Sequence, residues 1–261
     1  ETMAPDLASN RRVQDRDGRW TNEWDDPHGA HTGFFDSTVT LTAVRRSGGH
    51  LDALLVTYGC HPVVLGNRSM AISADYCGYL KDALEERREV GTVLFGVAGH
   101  GNIDPRICVQ SEAAVVEKTG RDLADIVRQA LPRQRPIAGR EPAWHSEPWR
   151  ITRTRTLVDT PDQQFHRLIR AGDMFESEVM AIGVGDFAVV GLPGAPLSEI
   201  VAVIGRSSPF SHTRVLSAAN DFVGYIPTDE VQRQGAHETA YAPAEDLKGD
   251  FLSTSREGFR I

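Results

Sequence analysis

The sequence has few cysteines, little clustered positive charge and no long apolar run, and each shortage excludes a class of protein. Its three cysteines are Cys60, Cys77 and Cys108. An odd number at wide spacing excludes a disulfide framework and the paired spacing of a zinc ribbon. The net charge of −8 argues against a nucleic-acid partner, because phosphate binding needs clustered Lys and Arg. No apolar run reaches the roughly 20 residues of a membrane-spanning helix, so no transmembrane segment is expected.

The position of Cys60 directly before His61 raises the question of a Cys–His nucleophile pair. Adjacent residues of a strand point to opposite faces of the sheet, so we expect the two side chains to diverge. All three cysteines are therefore interpreted as buried free thiols.

The apolar patterning predicts strands and helices along the whole chain. Alternating and β-branched residues predict strands, and apolar residues three and four apart predict helices. Because no repeat or low-complexity linker interrupts the pattern, we expect an α/β fold with mixed β-sheets flanked by helices, in one domain over residues 1–261. The predicted elements are hairpins over 38–60 and over 175–194, the second with its turn at 184–186, helices at 73–89, 111–131 and 195–209, and strands at 91–99, 143–157 and 213–228. Residues 1–37 are polar and turn-rich, so they are expected to wrap a surface rather than form a core.

Four of the predicted strands end in glycine-rich loops that carry polar residues. These loops read "YGCHP", "GVAGHGNIDPR", "VVGLPGAP" and "NDFVGYIPT". In α/β sheets, sites form where strand ends converge. The sequence therefore predicts one cleft lined by all four loops.

Four side chains in these loops are candidates for chemistry. His61, at a strand end, is either a hydrogen-bonded structural residue or a zinc ligand oriented through its second nitrogen. His100 and Asp104 lie in the second loop, which is either a turn held by Asx hydrogen bonds or an oxyanion donor beside a carboxylate base. Tyr225, in the fourth loop, is either a packed side chain with a polar tip or a ligand or acid.

The backbone of the second loop is a candidate for binding the substrate. Gly99 and Gly101 let the chain approach a ligand closely and expose N–H groups to an anion, and Asn102 follows them. The glycine spacing matches neither the dinucleotide fingerprint nor the Walker motif, so nucleotide binding is not predicted.

The motifs occur in an order that resembles a known family. "NRR", "CHPVVLG", "ISADYCGYL", "GHGNIDPR", "GLPGAP" and "NDFVGYIPT" follow one another as in the catalytic domain of the neutral/alkaline (non-lysosomal) ceramidases and their bacterial relatives, over residues 10 to about 240. The resemblance implies a zinc amidohydrolase that cleaves the N-acyl amide of ceramide. It also implies that zinc is held by two His, one Glu and one Tyr. His61 matches the second His, and Tyr225 matches the Tyr.

The chain departs from the family pattern at functional positions. Ala195 stands where the family has the Glu ligand, and the first His belongs to a segment upstream of "NRR" that does not occur here. Asp104 stands at an essential serine, and His237 at a tyrosine that helps to hold substrate. Because alanine cannot bind zinc, a metal site would need Asp104, Glu199 or a residue from another chain as a replacement ligand.

Three hypotheses remain open. The first is a ceramidase-like amide hydrolase or amide-bond-processing enzyme that acts on a small-molecule or lipid-like amide other than ceramide, with zinc on His61 and Tyr225. Asp104 would then be a base or extra ligand, and His100 and His237 would carry protons. The second is a zinc-free enzyme of a biosynthetic pathway that uses Asp104 and histidine acid–base chemistry. The third is a non-catalytic subunit of a hetero-oligomer.

The resemblance also implies that the domain is incomplete in this chain. The family places about half of its catalytic domain before "NRR", so strand edges and apolar faces would be left unpaired. We therefore expect a second polypeptide, separately encoded or cut from a common precursor before Glu1, that supplies the N-terminal part of the domain.

Overall fold

The computed structural model describes residues 1–66, 68–86, 88, 90–137, 139, 141–152, 172 and 174–243. These residues fall into two compact units. The first unit contains residues 1–13 and 22–136, and the second contains 14–21 and the described part of 137–261. That the whole chain forms a single domain stays a prediction.

A four-stranded mixed sheet organises the first unit. Its strands are β1 (Thr2–Met3), β5 (Thr38–Arg45), β6 (Leu51–Tyr58) and β7 (Thr92–Val97), in the spatial order β1-β5-β6-β7. β5 and β6 form an antiparallel hairpin, which confirms the hairpin predicted over 38–60. β6 and β7 are parallel, so their carboxyl ends lie at the same edge of the sheet.

Two helices cover one face of this sheet. α1 (Asp75–Glu86) and α2 (Ala113–Ala130) confirm the two helices predicted in this part of the chain. Their apolar stripes share one core with the sheet, in which Leu54, Leu80 and Leu123 are fully buried. Full burial of one such side chain contributes roughly 1.5–3 kcal/mol, so this core is a main source of the unit's stability.

Two pairs of short strands lie outside the main sheet. β2 (Ala8–Asn10) pairs antiparallel with β8 (Ile103–Pro105), and β3 (Arg12–Gln14) pairs with β4 (Trp20–Asn22). Residues 8–12 are fully buried, so the expectation that the whole stretch 1–37 wraps a surface is wrong for these residues. The cause is the β2–β8 pairing, which draws a polar segment into the interior.

The second unit is built on another four-stranded sheet. Its strands are β9 (Ala143–Thr152), β10 (Met174–Val184), β11 (Phe187–Gly191) and β13 (His212–Leu216), in the order β13-β11-β10-β9. β10 and β11 form the hairpin predicted with its turn at 184–186. The strand predicted over 143–157 is present to Thr152, and residues 153–157 lie outside the described residues.

The remaining elements of the second unit are short, apart from one helix. α3 (Ser198–Ser207) buries Ile200 and Ile204 against the sheet. β12 (Ala195–Pro196) pairs parallel with β14 (Tyr225–Ile226). α4 (Asp229–Gln234) and α5 (His237–Ala240) follow.

Together these elements confirm the predicted fold class, α/β with mixed sheets flanked by helices. Among the described helices, none combines the length and the apolar character needed to span a bilayer.

The close packing of α1 on α2 depends on Gly120. A Cβ at this position would lie 2.5 Å from the Tyr76 carbonyl oxygen and 2.5 Å from the Tyr79 Cβ. An added methyl group would force the α1 backbone to shift, which costs free energy. We therefore expect Gly120→Ala to lower the free energy of unfolding by about 2 kcal/mol, measured by chemical denaturation. The matched control is Gly205→Ala in α3, which has open space around the added methyl and should keep or raise stability. Equal stability of the two variants would contradict this account of the helix packing.

Candidate functional site

The His61 side chain lies just beyond the end of β6, and its Nδ1 lies next to two acceptors. The backbone N–H of His61 donates to the Ile103 carbonyl oxygen at 3.0 Å. Its Nδ1 lies 2.9 Å from the same oxygen and 3.3 Å from Asp104 Oδ1. Both neighbours are acceptors, so Nδ1 carries the proton and Nε2 is the ring nitrogen with a lone pair. The side chain is 14% exposed, so it is largely but not wholly withdrawn from water.

Asp104 is the acceptor on which this arrangement depends, and it is buried against Arg11. Arg11 Nη1 lies 3.0 Å from Asp104 Oδ1 and 3.3 Å from Oδ2, and the two side chains are 3% and 1% exposed. Burial alone would raise the pKa of the Asp104 carboxyl. The hydrogen bond from His61 and the charge of Arg11 outweigh it, so the pKa lies below its ordinary value. Asp104 is therefore a carboxylate at neutral pH.

Arg11 also fixes the glycine-rich loop. Its Nη2 donates to the Gly101 carbonyl oxygen at 2.7 Å, and its backbone N–H donates to the Asn102 carbonyl oxygen at 3.0 Å. Its guanidinium lies 4.9 Å from the centre of the Trp24 ring, a cation–π contact. The peptides predicted to bind substrate are thus held by a residue from the β2–β8 region.

His100 lies in the same glycine-rich loop as Gly101, and its ring packs edge-on against the ring of His61. The two ring centres are 4.3 Å apart at 79°, and His100 Nδ1 lies 3.0 Å from the Ala98 carbonyl oxygen. Burial, with the neighbouring His61, lowers the pKa of His100 to about 3. At neutral pH His100 is therefore uncharged.

The two strand ends that carry these histidines approach closely. A Cβ on Gly59 would lie 2.6 Å from the Gly99 carbonyl oxygen, which is closer than two such atoms can be. Only glycine at position 59 allows the ends of β6 and β7 to meet at this distance. The first unit therefore brings together His61, His100, Asp104 and Arg11, and we refer to these four as the His61 cluster.

The thiol beside His61 does not belong to this cluster. Cys60 is fully buried, and burial raises its pKa well above the ordinary value. All three cysteines are free, as predicted, and Cys60 and Cys108 are buried while Cys77 is half-buried. Because a thiolate is the reactive form, Cys60 is not an activated nucleophile.

The second unit places Tyr225 among aromatic rings. The Tyr225 ring lies 5.4 Å from His237 and 6.5 Å from Tyr241, and His237 lies 4.6 Å from Tyr241. In the β12–β14 pair, Ala195 stands directly opposite Tyr225. The structure thus brings Tyr225 together with His237, and it places the Ala195 methyl next to the tyrosine. The convergence of His61 and Tyr225 in one cleft stays a prediction, since they belong to different units.

The described residues do not by themselves complete a zinc site. Among them, no group of three or more His, Cys, Asp and Glu side chains is placed to hold a metal ion. In the first unit both oxygens of Asp104 lie within 3.3 Å of Arg11. In the second unit Ala195 offers only a methyl group beside Tyr225.

Arg11 is the residue of the site that sequence reasoning missed. It lies in "NRR", a motif that carried the family resemblance, but no chemistry was assigned to it. The signal that could have found it is the aspartate in "GNIDPR", where the family has a serine, because a buried carboxylate needs a cationic partner such as an arginine.

Comparison with known proteins identifies the fold. No family model and no curated protein matches the chain. Among solved structures, the chain is similar to neutral ceramidase from Pseudomonas aeruginosa, with a TM-score of 0.67 and 13% identity over 93% of this chain and 48% of that chain. It is equally similar to a ceramidase complexed with C2, with a TM-score of 0.67 and 13% identity over 92% of this chain and 50% of that one.

The chain therefore spans about half the length of the ceramidase chains that it matches. At this identity the likeness establishes the fold, and it confirms the ceramidase-like domain that the order of the motifs predicted.

Proposed function

We propose that this chain is a ceramidase-like amide hydrolase or amide-bond-processing enzyme whose proton-transferring group is His61. The observation that carries the proposal is the orientation of the His61 ring by Asp104 and the Ile103 carbonyl oxygen, 3.3 Å and 2.9 Å from Nδ1. A histidine held in one tautomer by a buried carboxylate is a recurring general base in acyl-transfer enzymes. The ceramidase-like fold supports the same reaction class.

The chemistry follows from the protonation states of the cluster. Asp104 is ionised, so it stabilises the positive charge that His61 gains when it accepts a proton. Nε2 would take a proton from water as the water oxygen attacks the amide carbonyl carbon. The same nitrogen would then give this proton to the amine as the C–N bond breaks. The products are a carboxylic acid and an amine.

The other residues of the loop would have supporting roles. The backbone of Gly99 and Gly101, of which Arg11 holds the Gly101 carbonyl group, would steady the charge that develops on the substrate carbonyl oxygen. His100 is neutral, so its predicted role in carrying protons becomes a role in packing against the reacting imidazole. His237 lies beside Tyr225 and would carry protons only if the two units share one cleft.

The substrate that we propose is a small-molecule or lipid-like amide other than ceramide. The resemblance assigns a serine to the position of Asp104 and a substrate-holding tyrosine to the position of His237. A buried carboxylate paired with arginine only accepts hydrogen bonds, so it cannot take the place of a hydroxyl group that also donates one. The chain therefore differs from the family at one position essential to activity and at one that helps to hold substrate.

Zinc stays a prediction of the resemblance. The Nε2 atom of His61 and the hydroxyl oxygen of Tyr225 would bind it, and zinc would polarise the amide carbonyl and activate water. A site built on either residue would need ligands beyond those grouped in its unit. Because Nε2 cannot bind zinc and accept a proton at the same time, the proton route through His61 and Asp104 belongs to the zinc-free alternative raised by the sequence.

Two observations favour a second candidate, a non-catalytic subunit of a hetero-oligomer. Ala195 removes a family ligand, and Arg11 neutralises the only carboxylate of the His61 cluster. In either role we propose a second polypeptide that supplies the remainder of the domain, since the chain covers 48% of the neutral ceramidase chain whose fold it shares.

We expect His61→Gln to lower kcat/KM for amide hydrolysis at least a hundredfold, because the general base is lost while the Arg11–Asp104 pair stays intact. The measurement is product formation from a panel of N-acyl amides, followed by mass spectrometry and compared with the His50→Gln control on an exposed turn. The fall should appear in kcat rather than KM. No turnover of any amide by the unaltered protein, purified with its partner, would instead favour the non-catalytic subunit.

Removal of metal separates the zinc route from the proton route. Because Asp104 is already engaged by Arg11 and Ala195 cannot bind metal, we expect amide turnover to survive dialysis against a chelator within about twofold. Zinc content is measured in the same samples. About one equivalent of zinc, with activity lost on chelation and restored by zinc alone, would contradict the zinc-free route and establish the zinc enzyme.

Burial of neutral His100 makes stability depend on pH. The folded pKa is about 3 and the unfolded pKa is the ordinary 6.5, so the unfolded chain binds one more proton between these values. Stability is therefore present above pH 6.5 and falls as pH drops toward 3, with roughly 2 kcal/mol lost by pH 5.

We expect His100→Gln to remove this part of the pH dependence in urea unfolding curves measured from pH 7 to 5. His50→Gln, with an exposed imidazole, should follow the unaltered protein. Identical pH slopes for His100→Gln and the unaltered protein would show that His100 does not titrate in this way.

A further inference from the structure

The first-unit sheet has one face covered by helices, and its other face is exposed around Val44 and Leu94. Val93 and Phe95 of β7 face the helices, and the Phe95 ring meets Tyr76 of α1 edge-on at 5.7 Å. The opposite face carries Val44, Leu55 and Leu94. Val44 is 60% exposed and Leu94 is 55% exposed, and Leu55 is half-buried between them.

These three residues form a continuous apolar patch because of the strand register. Leu55 of β6 is directly opposite Leu94 of β7, and Val44 of β5 is opposite Ala53, two residues before Leu55 on the same face. We refer to Val44, Ala53, Leu55 and Leu94 as the open face. A contiguous exposed apolar patch of this kind is typical of a surface that contacts another protein.

The edge of β7 next to the open face also lacks a partner strand. β7 is the last strand of this sheet in the part of the chain that the structure describes. The Ala98 N–H points to β6, where it donates to the Tyr58 carbonyl oxygen, and the Val93 N–H points away and donates to Glu85 Oε1 at 2.7 Å. Because backbone groups alternate sides along a strand, those of Phe95 and Val97 point outward as well.

Nothing in the sequence of β7 protects this edge. Thr92–Val97 reads "TVLFGV", without a charged residue or proline. Edge strands of proteins that stand alone are normally blunted by charge, proline or a bulge. An unprotected edge beside an apolar open face therefore indicates pairing with another strand.

We propose that the open face and the β7 edge form the docking surface for the second polypeptide, which adds a β-strand to β7 and covers Val44, Leu55 and Leu94 with apolar side chains. This inference rests on the second polypeptide proposed above. The occupant is chosen because this chain covers 48% of the neutral ceramidase chain, so the other half of that chain consists of elements with no counterpart here. Addition of a strand to an exposed edge is a common mode of recognition, in which the backbone gives affinity and side chains give specificity.

The test begins with cross-linking of the complete protein in its natural host. A photoreactive benzophenone amino acid is placed at position 94 and, as a matched control, at position 107, where Ile107 is 46% exposed in a loop outside the sheet. We expect a cross-link from position 94 to a different polypeptide, identified by mass spectrometry, and none from position 107. Cross-links from position 94 only to another copy of this chain, to an upstream segment of the same polypeptide or to lipid would overturn the proposal. No cross-link, or equal cross-linking from both positions, would overturn it as well.

Charge variants test the same surface without a probe. The double variant Val44→Lys/Leu94→Lys should reduce co-purification of the second polypeptide at least tenfold, because lysine cannot be desolvated in an apolar contact. Ile107→Lys should leave co-purification unchanged. The double variant and Ile107→Lys should both have the Tm of the unaltered chain, since the side chains of Val44, Leu94 and Ile107 are well exposed.

The outcomes separate this inference from the one on which it rests. A second polypeptide that co-purifies equally with the double variant refutes the docking surface and leaves the partner standing. If no second polypeptide co-purifies with the unaltered protein, both the docking surface and the proposed partner are refuted. Neither result depends on amide turnover.

Discussion

The buried ion pair of Arg11 and Asp104 is the interaction on which the candidate site depends. Both side chains are almost completely withdrawn from water, so each charge has lost its hydration and is stabilised chiefly by the other. The pair orients the His61 imidazole on one side and fixes the Gly101 peptide on the other. Loss of one partner would leave the other charge buried and uncompensated, at a cost of about 3–5 kcal/mol. The site and the stability of this region are therefore coupled.

The ion pair also shows how a ceramidase-like fold could keep its histidine under the change of chemistry that we propose. In the resemblance, the position of Asp104 holds a serine and His61 is a metal ligand. With an aspartate there, the histidine gains a carboxylate on Nδ1 while Nε2 keeps its lone pair. The same ring can then act as a base or as a ligand, so the replacement does not by itself decide between the two. The Ala195 methyl beside Tyr225 is the independent observation that weighs against a ligand set of the family type.

The sequence predicts the elements of the fold better than it predicts the contacts of the site. Apolar segments joined by glycine-containing turns were sufficient for the β5–β6 and β10–β11 hairpins, and an apolar stripe was sufficient for α2. The β2–β8 pair was not predicted because it joins two three-residue strands about 90 positions apart, too short to show a period. Arg11 is placed by that pair, so its contact with Asp104 could not be read from local pattern. The neutral state of His100 arises from burial, which the spacing of residues does not report.

The Glu85 side chain restricts which part of the exposed β7 edge can pair with another strand. By accepting the Val93 N–H, this carboxylate occupies the start of the strand and leaves the outward groups of Phe95 and Val97 nearer its end. A strand that extended past Val93 would have to displace a carboxylate that helix α1 supplies. The incoming strand can therefore pair only with the carboxyl end of β7, which leads into the loop that contains His100. Assembly and the proposed catalysis would then be linked, because the incoming chain could complete the sheet only by pairing next to the residues that we propose to be catalytic.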